Sequence, residues 1–229
     1  MTIRYLKLIL MLVYPFWVSA QTSANDPVDV LGWYGASVTF DLKKKWEAGI
    51  DYQARFQNNL SSYKGSYISF SALKMVHKRI GIQGEYRLGL VTGESTFHRF
   101  SVGAVYEPKV PIVDLGFRLL LLNNIQDFVD PAEVSNSDLF WRARVKLGMP
   151  LSKKWTGYLA FEPVMKFGGN SFIDNLRNTI GVKHKLSKNT RLDIYYMYRP
   201  DYAKAKYNRI FHVMGMNLDF RMASQKKKK

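Results

Sequence analysis

The chain of 229 residues contains no cysteine, only four histidines, and no long apolar run beyond its first twenty residues. Without cysteine there is no disulfide framework, no thiolate metal site, no cysteine nucleophile and no lipidated N-terminal cysteine. The histidines are His77, His98, His184 and His212. No two of them share a metal-binding spacing with a carboxylate, so no metal is expected. His98 and Ser101 are the one His–Ser proximity, and an offset of three puts them on opposite faces of a strand. After residue 20 the longest apolar run, Leu119 to Leu122, falls far short of the roughly eighteen residues a membrane-crossing helix needs. No glycine-rich phosphate loop opens into a helix, so no cofactor is expected.

Positive charge is abundant. Thirty-four Lys and Arg against 18 Asp and Glu give +16 and a pI near 9.9. Such an excess suggests nucleic acid, an acidic polymer or an anionic membrane surface. The ends take part of it. Residues 1–20 read as a signal peptide, with Arg4 and Lys7 before the apolar stretch Leu8 to Val18, and Val18-Ser19-Ala20 places cleavage after Ala20. Residues 222–229 form a basic tail ending in four lysines. Without the leader and that lysine run the charge falls to about +10. The remaining cations fall in turns and on alternate strand positions, with no contiguous basic helix and no aromatic stacking platform. Nucleic acid is therefore not an expected partner.

The dominant pattern has period two. In 46–57, Trp46, Ala48, Ile50, Tyr52, Ala54 and Phe56 alternate with Glu47, Gly49, Asp51, Gln53, Arg55 and Gln57. A helix could not segregate that pattern. Segments 79–90 and 209–221 alternate in the same way. Eleven strands are predicted: 33–42, 46–57, 63–76, 79–91, 96–107, 112–123, 137–149, 154–166, 174–186, 190–199 and 207–221. They average near twelve residues, about twice the usual soluble strand, and match a tilted bilayer-crossing strand of roughly 9–11 residues.

Short basic turns alternate with longer polar links. Three of the turns share a pattern: Leu42-Lys43-Lys44-Lys45-Trp46, Leu151-Ser152-Lys153-Lys154-Trp155 and Leu186-Ser187-Lys188-Asn189-Thr190. Short turns on one rim and long loops on the other is the layout of outer-membrane barrels. Trp33, Tyr34, Trp46, Tyr106, Trp155 and Phe220, near strand ends, are expected in aromatic girdles. The expected fold is all-β, a transmembrane antiparallel β-barrel of 10–12 strands over 32–221, preceded by a segment over 21–31. Single-chain bacterial barrels carry even strand numbers, which favours twelve. The twelfth would need a strand within 22–31, where Asp26, Pro27 and Asp29 oppose one.

Gly215-Met216-Asn217-Leu218-Asp219-Phe220 resembles the C-terminal insertion signal of bacterial outer-membrane barrels, with Gly215, Leu218 and Phe220 at its fixed positions. Here nine residues follow Phe220. The aromatic-led first strand, the Leu-Lys-Lys turns, the Phe-Glu-Pro strand around Glu162 and the Tyr-Met-Tyr-Arg strand ending at Arg199 resemble the domain of unknown function 2490. That resemblance implies a small secreted barrel of the Gram-negative outer membrane, with no assigned activity. Lipid, lipopolysaccharide and the barrel-assembly machinery are then the expected partners.

The polar strand faces would line the lumen. They supply the cations Arg55, Arg87, Arg118, Arg142, Arg144, Lys146, Arg177 and Arg199, and the carboxylates Glu47, Asp51, Glu85, Glu162, Asp193 and Asp219. So many charges are tolerable only if they pair or meet water. The bland reading is a rigid ion-pair lattice; the functional reading is an anion-preferring lumen. Arg142, Arg144 and Lys146 are consecutive inward positions on one strand, and Glu162 on the next could balance them. The expected role is a narrow or plugged barrel acting as a minor channel or structural component. The alternative is an outer-membrane lipid-modifying enzyme of acyl hydrolase or acyltransferase type. A third reading places surface binding in loop 124–136, which is rich in carboxylates.

Overall fold

A computed structural model describes residues 27–93, 96–126, 138–167, 172–202 and 209–222. The expected leader over 1–20, most of the acidic loop and residues 223–229 of the tail lie outside the described residues. Eleven strands of 10–14 residues close into one barrel. They are β1 (Val28–Asp41), β2 (Trp46–Gln57), β3 (Ser62–Met75), β4 (Ile80–Val91), β5 (Phe97–Tyr106), β6 (Asp114–Gln126), β7 (Asp138–Pro150), β8 (Trp155–Lys166), β9 (Phe172–Lys185), β10 (Thr190–Asp201) and β11 (Arg209–Met222).

Each strand pairs antiparallel with its chain neighbours, and β1 closes on β11 in parallel. The count is therefore eleven, not the twelve favoured by even parity. Among the described residues the barrel has no twelfth strand: it closes over thirteen parallel residue pairs, from Val28 opposite Ile210 to Phe40 opposite Met222. The two ends of the barrel sequence consequently lie on opposite rims.

β1 begins at Val28, five residues earlier than its sequence suggests, for a reason that lies in a neighbouring turn. Residues 58–60 are left-handed (φ 54°, 54° and 67°). The Asp29 carboxylate accepts the backbone N–H groups of Asn58 (3.1 Å) and Asn59 (2.7 Å). An aspartate that disfavours a strand locally thus clamps that turn to β1. Pro27 stands just before the strand, where a missing N–H costs no ladder bond, and its carbonyl accepts from Ile210 N–H at 2.9 Å.

The three similar turns share a closure. Leu42, Leu151 and Leu186 each donate their N–H to the carbonyl four residues on, at 2.8, 2.9 and 3.0 Å. Ser152 Oγ then accepts from the N–H of Trp155 at 3.2 Å, and Ser187 Oγ from that of Asn189 at 3.2 Å. These turns, with 76–79 and 107–113, make one rim. Connections 58–61, 92–96, 127–137, 167–171 and 202–208 join strands at the other.

The outward positions are apolar. Ile50, Phe70, Ile82, Phe100, Leu119, Ile180, Ile194 and Met214 are among 25 exposed large hydrophobic side chains on the strands in the described residues. Aromatic rings with polar handles flank this band. Towards the short-turn rim stand Trp46 and Trp155, the latter 4.1 Å from the His184 ring. Towards the long-loop rim Tyr52 and Tyr63 share Ser66 Oγ at 2.8 and 2.6 Å, Tyr86 bonds His98 at 2.9 Å and Tyr196 bonds His212 at 2.6 Å. From Trp46 to Phe56 on β2 is about 33 Å along the strand. At a tilt of about 40° that is a band about 25 Å tall.

Trp33 is a correction. Expected in a girdle, it points into the barrel, 6 % exposed, while Tyr34 takes the outward position. Both faces of β1 are apolar here, so alternation alone does not say which is inside.

Inward tyrosines lie over glycines of the adjacent strand. Tyr67 faces Gly89, Tyr158 faces Gly181 and Tyr195 faces Gly215. A Cβ on Gly181 would sit 2.6 Å from the Tyr158 ring, and one on Gly215 would sit 2.0 Å from the Tyr195 ring. Each ring fills the space a side chain would need. Gly215, the first residue of the motif that resembles an insertion signal, therefore has a packing role as well.

Candidate functional site in the barrel lumen

The interior has three layers. Towards the long-loop rim two groups of apolar side chains are buried. Leu31, Trp33, Met197 and Val213 form one buried cluster, against which Tyr195 and Phe211 pack; Leu122, Phe140 and Val164 form another. Val213 is wholly inaccessible and Leu120 is 2 % exposed, although both occupy inward positions.

Arg55 is held beside the first cluster by two aromatic faces. Its guanidinium carbon lies 4.2 Å from the Trp33 ring centroid and 3.9 Å from that of Tyr67. Gln53 Oε1 accepts its Nε–H at 2.8 Å. Delocalised charge between two π faces is a favourable way to keep a cation away from water. Arg199 lies in the same end, paired with Asp201 at 3.0 Å and 5.2 Å from the Phe211 centroid.

The middle layer surrounds a cavity of about 420 Å³. Eight cationic and five acidic side chains line it. Glu162, its side chain 6 % exposed, is the hub. It accepts from Arg118 at 2.9 Å and Arg177 at 3.3 Å, and also from Arg142, whose Nε contact is 3.1 Å. Three strands besides its own thus converge on one carboxylate. Glu85 makes a looser centre, with Arg87 at 3.5 Å and Arg99 at 3.7 Å; Arg87 also donates to Ser69 Oγ at 2.7 Å.

A third group lies nearer the short-turn rim. Lys183 bridges Asp193 (3.1 Å) and Asp219 (3.5 Å). Tyr158 O–H donates to Asp193 at 2.9 Å, and Ser37 O–H to Asp219 at 2.7 Å, joining β1 to β11. Asn217 also donates to Asp219.

The residues named from sequence are thus distributed. Arg55, Arg87, Arg118, Arg142, Arg144, Lys146, Arg177, Asp51, Glu85, Glu162, Asp193 and Asp219 all line the central cavity. Glu47 instead stands at the short-turn rim, 2.8 Å from Arg221, which also meets Asp41 at 2.6 Å. Glu162 balances Arg142, as the neighbouring-strand argument anticipates, but its other partners are Arg118 and Arg177. Among the described residues neither Arg144 nor Lys146 forms an ion pair; Lys146 Nζ instead lies 4.2 Å from the Tyr158 ring centroid.

Sequence reasoning passed over the interior aromatics and the apolar plug, because Trp33, Phe140, Met197 and Val213 break the rule that the lumen face is polar. The carboxylate-rich stretch 127–137 lies outside the described residues. His98 and Ser101 take opposite faces of β5: His98 bonds Tyr86 on the outside, and Ser101 is buried within.

The lowest layer is a second cavity of about 730 Å³ at the short-turn mouth. Lys146, Tyr158 and Lys183 line both cavities, so the two adjoin. The lumen thus carries two buried apolar clusters towards one end and a basic hollow at the other.

A search of curated proteins finds no match to the chain. The family model described as "Protein of unknown function (DUF2490)" matches residues 31–210, from the dry end of β1 to the start of β11 and so across almost the whole barrel. This closed β-barrel with a charged interior belongs to the DUF2490 family.

Proposed function

We propose that this protein is a bacterial outer-membrane β-barrel with a blind lumen, a structural or ligand-holding component and not an open channel. The observation that carries the membrane reading is the outer face. Among the described residues 25 exposed large hydrophobic side chains stand on the strands of the barrel, whereas soluble monomers confine apolar patches to a few hundred Å². A band about 25 Å tall between two aromatic girdles suits a bilayer. The orientation we favour puts the short basic turns in the periplasm, where their lysines can meet anionic headgroups. Gly215, Leu218 and Phe220 on β11 support delivery by the barrel-assembly machinery, and lipid and lipopolysaccharide are the surrounding partners. The leader expected over 1–20 would be removed near Ala20.

The blind lumen is favoured over a minor channel by the inward burial of Val213, Leu120 and Trp33. The lipid-modifying alternative lacks comparable support, since His98 and Ser101 stand on opposite sides of the wall. Expression in a Gram-negative host with density-gradient fractionation tests the localisation. The protein is expected in the outer-membrane fraction, with a gel mobility that changes on boiling. Recovery as a soluble periplasmic protein would defeat the reading.

A further inference from the structure

We infer that the mouth of the lumen on the short-turn side is a binding site for a small, multiply phosphorylated anion. The mouth is a concavity of about 730 Å³, within the range of small-molecule sites. Its floor carries Lys146 and Lys183, the latter already paired with Asp193 and Asp219, and its walls carry Lys109, Lys153, Lys154, Lys185 and Arg191. Only two carboxylates, Glu107 and Asp114, stand among these seven cations.

The cations on the wall of the hollow lack the pairing that Arg221 has elsewhere on this rim. On the β1, β2 and β11 side Arg221 is neutralised by Asp41 and Glu47 at 2.6 and 2.8 Å. On the β6 to β10 side none of the five wall cations forms an ion pair with a described carboxylate. A rim built only for solubility has no need to gather like charges around one hollow, because they repel. Lys146 adds a second observation. It is partly buried and held over the Tyr158 ring at 4.2 Å, and it lines the hollow without a described carboxylate partner. Tyr158 is itself fixed, by its bond to Asp193 and by its seat on Gly181.

The cation type selects the ligand. Lysines bind phosphate as compact point charges on flexible stems, whereas arginine forks add bidentate geometry towards carboxylate and phosphate alike. A hollow dominated by lysine suits charge-dense, nearly spherical phosphate groups. The wall also includes the turn 107–113, the longest on this rim, pinned by the bridge of Lys109 to Asp114. The hollow opens along the lumen and not towards the outer surface, so a soluble phosphate fits better than a lipid headgroup.

Calorimetric titration of the detergent-solubilised barrel with inorganic tripolyphosphate tests this, whether or not the barrel conducts. Saturable binding with one equivalent is expected, weakening as salt rises. The variant K153Q/K154Q/K185Q should bind at least about tenfold more weakly, since three nearby charges are lost. The charge-matched control K43Q/K44Q/K45Q removes three lysines from the same rim outside the hollow and should change binding less than about twofold. Unchanged gel heat-modifiability shows that each variant is folded. Absence of binding by the native protein, or equal losses in the two variants, overturns the inference. Competition by phosphatidylglycerol in nanodiscs would assign the mouth to headgroups and overturn the soluble ligand; no competition is expected.

Discussion

Replacing Glu162 by Gln keeps the volume and one acceptor oxygen but removes the charge that three arginines share. Arg118, Arg142 and Arg177 would then face one another around a neutral side chain in the narrow middle of the barrel. One ion pair at 4 Å is worth about 4 kcal/mol at the effective dielectric of partly buried sites, before desolvation is charged against it. Three such contacts cannot simply be added, because the arginines also repel one another. Removing the one partner of a buried set typically costs about 3–5 kcal/mol, and E162Q is expected in that range. The converse change is milder: R142Q relieves repulsion and leaves Glu162 with two partners, so a loss below about 2 kcal/mol is expected. The double variant E162Q/R142Q should recover part of the E162Q loss, since one unbalanced cation is gone. Urea unfolding of the barrel in lipid vesicles, followed by tryptophan emission, measures all three. If E162Q lies within about 1 kcal/mol of the native protein, the lattice does not hold the barrel and the reasoning fails.

The tyrosine–glycine pairs give a second test. Gly181→Ala would place a methyl 2.6 Å from the Tyr158 ring. The ring would have to leave both Asp193 and Lys146, at an expected cost of about 1–3 kcal/mol in the same unfolding assay; an unchanged midpoint would refute the packing role. Arg55→Met removes the cation between Trp33 and Tyr67 and should cost about 1–2 kcal/mol and alter Trp33 emission. Identical emission would mean that the stack is absent. The parallel closure is checked by A36C/L218C, which places two outward cysteines opposite each other on β1 and β11. Oxidation should yield a disulfide within one chain. A twelfth strand between them would hold the pair about 10 Å apart and prevent it.

Much of the barrel is readable from alternation, because the pleat makes one face of each strand answer to the interior and the other to the outside. β2 has the bounds that its sequence predicts, and most other strand ends shift by one or two residues. What escaped was non-local. Asp29 looks like a strand breaker until the turn at 58–60 brings two N–H groups to it. The strand count escaped because parity is a rule about families of barrels, while the closure depends on β1 meeting β11 in parallel. In the lumen, alternation assigned most of the charged residues to the interior but could not choose partners. Long arginine side chains from β6 and β9 reach Glu162, while Arg144, two residues from Arg142, does not pair with it. The apolar plug was hidden for the same reason as Trp33: where both faces of a strand are apolar, the pattern carries no sign.

The blind lumen proposed above is closed by its own side chains near one end and open at the other. Planar-bilayer recording of the native barrel tests it most directly. Insertion without conductance steps is expected across the accessible voltage range, since Leu31, Trp33, Met197 and Val213 are buried on the inner face near that end. Steady ohmic conductance from protein shown to be folded and inserted would contradict it.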